Sequence, residues 1–197
     1  MLIADHQTAG KERLDRRWVD EGGGSLLMSV RLAVPDDQVA GALVRALAGA
    51  ARHAAGALVP LRSRSSGRTT CSWWTGRSRG SSAGVLAELV AGPQPSVVIG
   101  IGVNLAPVAS QPEATSVVEC GGIADRDRVA AAILDAFADR RADPARVIAE
   151  MRAHSAMLGT RVAVELPGGR RLAGVSRLSS RTGERSSWSP TTGNATR

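Results

Sequence analysis

Apolar side chains recur along this chain with two periods, and the places where neither period holds are as informative as those where one does. The run from Ser25 to Leu32 is rich in strand-forming residues and predicts a strand; the apolar runs Val85 to Val90 and Val97 to Val103 predict two more. Between them, Asp36 and Asp37 stand as capping candidates before Val39, Leu43 and Leu47, which share one helical face. Asp125 opens a second helix with Val129, Ile133, Leu134 and Phe137 inward. Asp143 and Pro144 open a third with Val147, Ile148 and Met151 inward. After Leu158 and Gly159, the alternation from Arg161 to Leu166 marks a further strand, which Pro167, Gly168 and Gly169 turn toward a partner at Arg171 to Val175.

A length of 197 residues with 43% hydrophobic content is enough for one main domain plus a small appendage. No apolar run approaches the length that crosses a bilayer, and no basic segment followed by an apolar one opens the chain, so a soluble, cytoplasmic protein without membrane partners is expected. Cys71 and Cys120 lie far apart without a His or Cys at ligand spacing, which supports neither a disulfide framework nor a metal site.

The formal charge of +7 invites a nucleic-acid reading, but its distribution argues otherwise. Residues 61–82 carry +5 with no acid, residues 176–197 carry +3, and the rest of the chain is left at −1. The same two stretches hold thirteen of the nineteen serines and three of the four tryptophans (Trp73, Trp74, Trp188), yet no Val or Ile. Neither has the composition of a buried β-branched strand.

The remaining blocks, taken in order, resemble one family. The run Ala4-Asp5-His6-Gln7-Thr8-Ala9-Gly10 with Arg13-Leu14-Asp15-Arg16 and Trp18, then Ser25 to Ser29, Ala83-Gly84-Val85-Leu86-Ala87-Glu88, Val98-Ile99-Gly100-Ile101-Gly102-Val103-Asn104 and Ala114-Thr115-Ser116, is similar to bacterial biotin protein ligases from residue 2 to about 175. The segment 61–82 is the gap in that match. The resemblance implies an α+β fold: a mixed β-sheet with helices packed on it, class II synthetase-like, over residues 1–156, and a small C-terminal SH3-like β-barrel remnant over 157–197.

It also implies an activity. Such ligases join biotin's carboxylate to the α-phosphate of ATP, with Mg2+ as activating ion, and pass the acyl group from biotinyl-5′-adenylate to a lysine of a biotin carboxyl carrier protein domain. A loop of Gly and Arg suits this, because Gly lets backbone N–H groups approach and guanidinium forks hold carboxylate and phosphate at two points. The family's Gly-Arg-Gly-Arg falls on Gly10, Lys11, Glu12 and Arg13, which makes Arg13 and Lys11 the implied catalytic cations. Gln7 matches the residue that hydrogen-bonds the biotin head group, Trp18 the loop's apolar cover, and Asn104 a residue near the adenine; Gly84 and Gly102 complete the implied binding set. The resemblance leaves a homodimer open and, with no room for a helix-turn-helix, implies no DNA partner.

Four departures point to impaired activity, with a non-catalytic remnant of the family as the alternative. Lys11 keeps a charge but loses the planar fork. Glu12 replaces a Gly that should lie against the adenylate, and two like charges about 4 Å apart at an effective dielectric near 20 repel by roughly 4 kcal/mol. The family's Lys-Trp-Pro-Asn-Asp motif, whose lysine contacts the activated carboxyl and phosphate, is missing between Gly56 and Ala83, and Lys11 is the chain's one lysine. The family's earlier strand and Ser-Thr-Asn loop, which also contact biotin, are expected to be absent as well.

Other motifs carry little. Gly22-Gly23-Gly24-Ser25 lacks the Lys-Ser or Lys-Thr of a P-loop, and Gly100-Ile101-Gly102 lacks a third dinucleotide-fingerprint glycine. His6, His53 and His154 read as solvent-facing or structural.

The missing motif is nevertheless encodable where it belongs. Codons for Ser65 through Gly76, read with each codon's last nucleotide moved to the front of the next, can spell Lys-Trp-Pro-Asn-Asp-Val-Leu-Val-Val-Asp-Gly. The same shift over Arg177 to Asn194 permits two alternating strands joined by an Asp-Gly turn. A change of reading frame at 61–82 and 176–197 is one explanation; genuine Ser/Arg-rich disordered linkers are the other. Sequencing the coding DNA across codons 56 to 84 and 170 to 197 is expected to reveal Lys-Trp-Pro-Asn-Asp in the shifted register. Codons that cannot spell it there reject the change of frame and favour a decayed gene.

Overall fold

The computed structural model describes the backbone of residues 1–11, 17–35, 37–59, 63–65, 70–74, 79–155, 157–165, 171–178 and 186–190. Glu12, Arg13, Asp36 and the turn at Pro167 to Gly169 lie outside the described residues. Six strands form one sheet in the order β1 (Leu2–Ala4), β2 (Ser25–Ala33), β6 (Ser96–Asn104), β5 (Arg79–Val90), β4 (Thr70–Trp74), β3 (Ser63–Ser65). Its strand ladders are antiparallel, and Ser81 and Ala114 form an isolated parallel bridge beside them. Helices α1 (Asp37–Leu58), α2 (Arg126–Arg141) and α3 (Pro144–His154) accompany it. Strands β7 (Arg161–Glu165), β8 (Arg171–Leu178) and β9 (Ser186–Pro190) form a second, three-stranded sheet. This is an α+β architecture, and among the described residues no helix is long and apolar enough to cross a membrane.

The period-2 pattern decides which face the core takes. On β6, Val97, Ile99, Ile101 and Val103 are buried in the core, joined by Leu26, Met28 and Val30 of β2 and Ala83 and Val85 of β5. The same cluster takes in Leu47 and a run of buried alanines on α1, with Val129, Ile133 and Phe137 of α2 and Val147 of α3. The small alanine side chains let α1 approach closely. Asp125 caps α2 by accepting from the Arg128 amide, and Asp143 caps α3 by accepting from the Arg146 amide, each at 2.9 Å, with Pro144 in the first turn of α3.

The two odd stretches correct an expectation. Within residues 61–82 the backbone forms β3, β4 and the start of β5, and within 176–197 it forms the end of β8 and β9. An unstructured linker therefore does not describe those paired residues. Backbone pairing makes no demand for Val or Ile, Thr and Trp favour extended backbone, and β3 and β4 sit at the outer end of the sheet.

One buried charge group holds the helices together. Arg140, 1% exposed, donates from Nε and Nη2 to the two carboxylate oxygens of Glu150 at 2.8 and 3.1 Å and from Nη1 to the Ala136 carbonyl at 2.9 Å. Arg146 Nε adds a bond to Glu150 at 3.2 Å. Burial pushes the Glu150 carboxyl up, but the hydrogen bonds and charges of Arg140 and Arg146 outweigh it and hold the group below the ordinary carboxylate range. Glu150→Ala strands a buried guanidinium and is expected to cost about 3–5 kcal/mol in urea denaturation. Because the folded value is depressed, the wild-type pair contributes fully above the unfolded carboxylate's titration at about pH 4.3 and loses its contribution as pH falls below it. The variant should lose less stability over that acid range.

Candidate functional site

The sheet face opposite the helices is open, and at its centre the positions that alternate with the core are glycines. Register places Gly84 of β5 beside Gly102 of β6, which in turn faces Leu27 of β2; the next outward-facing row is Leu86, Gly100 and Ser29. Along β5 this face runs from Ser81 to Glu88, about 23 Å at the rise of an extended strand. It floors a cavity of about 600 Å3 whose lining also includes Gln7, Lys11, Arg17, Trp18, Asn104, Gln111 and Glu113.

The described arms 6–11 and 17–20 pair with each other over that floor as a short ribbon. The Trp18 amide donates to the Gly10 carbonyl at 3.1 Å, Lys11 pairs with Arg17 as an antiparallel bridge, and His6 Nδ1 meets Asp20 Oδ2 at 2.7 Å. These three ties cross the same two arms. Arg17 Nη2 reaches the Thr8 carbonyl at 3.4 Å, and Asp5, just before the ribbon, pairs with Arg126 at the start of α2. The first ring therefore has a partner: His6 is half-exposed, and the Asp20 side chain is fully buried.

Trp18 joins ribbon to sheet. A methyl group built on Gly102 would sit 2.7 Å from indole Cε2 and Cζ2, one on Gly84 would sit 3.2 Å from Cζ3, and one on Gly10 would sit 2.6 Å from the Trp18 carbonyl oxygen. Each glycine is small because the tryptophan is close. Indole Nε1 and Asp20 Oδ1 are buried without a hydrogen-bond partner among the described residues, which marks this end of the ribbon as polar and unsatisfied.

The far wall is braced separately. Asn104 Nδ2 donates to the Thr115 carbonyl at 3.2 Å and the Ser81 carbonyl at 3.4 Å. Glu21 accepts from the Ala109 and Ser110 amides at 3.0 and 2.9 Å and from Ser110 Oγ at 2.6 Å, and those Ser110 bonds lower its pKa. Glu21 thereby ties the end of the ribbon to the loop that carries Gln111 and Glu113.

Of the residues singled out in the sequence, Gln7, Lys11, Trp18, Gly84, Gly102 and Asn104 line this one cavity, and Gly10 packs on Trp18 behind it. Glu12 and Arg13 lie outside the described residues. Ser29, Leu86 and Glu88 were missed, although their outward parity on β2 and β5 was the available signal. Gln111 and Glu113 had none, since only tertiary contact brings their loop here. Among the described residues no three His, Cys, Asp or Glu side chains converge as a cage for a metal ion.

An antiparallel sheet backed by helices on one face, with a glycine-floored cavity on the other, places the chain among α+β domains. No protein-family profile matches the chain. The chain is 36% identical over 188 residues to the biotin--[acetyl-CoA-carboxylase] ligase of Mycobacterium tuberculosis, a match covering 90% of this chain and 68% of that protein. Its fold is that of the biotin protein ligase from Aquifex aeolicus solved with biotin and ATP, with a TM-score of 0.71, 21% identity and coverage of 88% and 75% of the two chains. The Leishmania major biotin protein ligase, solved with biotin, superposes with a TM-score of 0.67 at 22% identity, covering 85% and 75%. The chain belongs to the biotin protein ligase family.

Gly102→Ala is expected to drive the indole off its seat, since a Cβ 2.7 Å from the ring cannot be accommodated without movement. The measurement is tryptophan fluorescence, with Trp18→Phe subtracted to isolate this indole. A red-shifted Trp18 component is expected, and an unchanged one contradicts the packing.

Proposed function

We propose that this chain binds biotin and ATP in the cavity over Gly84 and Gly102 and forms biotinyl-5′-adenylate there, for transfer to a lysine of a biotin carboxyl carrier protein domain, with reduced turnover. The observation that carries the reading is the convergence of Gln7, Lys11, Trp18, Gly102 and Asn104 on a single cavity from segments up to 97 residues apart. Joining a carboxylate to a phosphate requires two anions to be held together and the charge on phosphorus to be stabilised. In this scheme Lys11 and Arg13 supply the positive charge, and the Gly10 backbone allows close approach. Gln7 hydrogen-bonds the biotin head group, Trp18 covers the acyl chain, and Asn104 stands by the adenine. Mg2+ is expected to accompany ATP. The described residues form no cage for it, and no step is assigned to it.

Reduced turnover follows from Glu12, whose charge opposes phosphate, and from the absent Lys-Trp-Pro-Asn-Asp lysine, for which a changed reading frame at 61–82 is our explanation. The second reading, a remnant without turnover, is favoured by the indole seated on the cavity floor. We assign residues 1–156 to the catalytic domain and 157–197 to a small C-terminal β domain of SH3-like type, for which the three-stranded sheet β7–β8–β9 is the support. A cytoplasmic location, no DNA partner and an open option of homodimerisation complete the proposal.

Purified protein given biotin and ATP is expected to release pyrophosphate in a biotin-dependent manner. Release no greater than without biotin rejects turnover. Calorimetric titration then separates a partial pocket, which binds biotin at micromolar concentration, from a remnant that shows no heat.

A further inference from the structure

We propose that Lys11 is a self-acylation site: its ε-amino group accepts the activated acyl group held in the chain's own cavity. The proposal rests on the adenylate reading above. Lys11 is the single lysine among 197 residues, so apart from the α-amino group of Met1 the chain presents one primary amine. The structure puts that residue, exposed, in the wall of the cavity. The bridge to Arg17 and the Trp18 to Gly10 hydrogen bond hold its backbone in the ribbon.

The substitution changes the chemistry available at this position. A guanidinium carries charge and two-point hydrogen bonding but is no acyl acceptor, whereas an amine that gives up its proton is a nucleophile. An acyl phosphate anhydride beside it is the matching electrophile. The nitrogen lone pair attacks the carbonyl carbon of the mixed anhydride, the new C–N bond forms as the C–O bond to phosphorus breaks, and AMP departs with that electron pair. The displaced N–H proton goes to solvent, and nothing is oxidised or reduced. The amide removes the positive charge of Lys11 and leaves the acyl group tethered in the cavity wall, so each chain reacts once and then blocks its own site.

Synthetic biotinyl-5′-adenylate, added to the full chain, bypasses the adenylation step. Peptide mass spectrometry then follows acylation at Lys11 and at Met1 in the folded protein and in urea. Holding amine and anhydride in one cavity is expected to acylate Lys11 about tenfold or more faster in the folded chain than in the unfolded one, relative to Met1. A non-reactive adenylate analogue should suppress that advantage, and Lys11→Arg should leave Met1 as the acylated amine. Equal relative rates in the two states overturn the proposal. A parallel titration with the analogue tells the two failures apart: binding without acceleration defeats self-acylation alone, and no binding defeats the cavity reading with it. If added adenylate labels Lys11 with the folded-state advantage while biotin plus ATP does not, self-acylation stands and adenylate formation is what the chain has lost.

Discussion

The antiparallel register between β5 and β6 is the constraint on which the rest of this molecule depends. Pairing Gly84 with Gly102, and Val85 with Ile101, sends Val85 and Ile101 to the helix side and two adjacent glycines to the other. A slip by one residue would reverse this, exposing Val85 and placing glycines against α1. The same alternation that builds the core therefore leaves a glycine-centred floor on the opposite face. Core and cavity are two consequences of one hydrogen-bond ladder.

The ribbon turns that floor into a site. Three cross-ties hold its arms, and a single indole fixes the distance between ribbon and sheet by resting where no Cβ is present. Its charge is less well arranged. Lys11 lines the cavity, while Glu12, next in sequence, brings opposite charge to a loop whose proposed ligands are anions. The fold of the family extends over most of the chain. The core depends on apolar parity, whereas the proposed chemistry would depend on a few polar groups at the rim.

Much of the architecture was legible along the chain. Val97, Ile99, Ile101 and Val103 signalled β6 by their spacing, and Asp125 and Asp143 signalled the starts of α2 and α3, because helix caps and strand alternation are local properties. Composition misled at residues 61–82 and 176–197: strand pairing runs through the backbone, and an outer strand needs no run of Val or Ile. Within the site, the ordered motif blocks pointed to Gln7, Lys11, Trp18, Gly84, Gly102 and Asn104.

By itself, the sequence determined the three helices, the strands β2, β5, β6, β7 and β8 and the family, all of which follow from residue spacing and short motifs. Tertiary structure alone decided that His6 pairs with a buried Asp20 fourteen residues on, that Arg140 is buried against Glu150, and that Glu21 fastens the loop bearing Gln111 and Glu113 to the cavity. Such pairings arise when separate elements pack. A charged side chain's partner is set by which surfaces meet, and no local period records that.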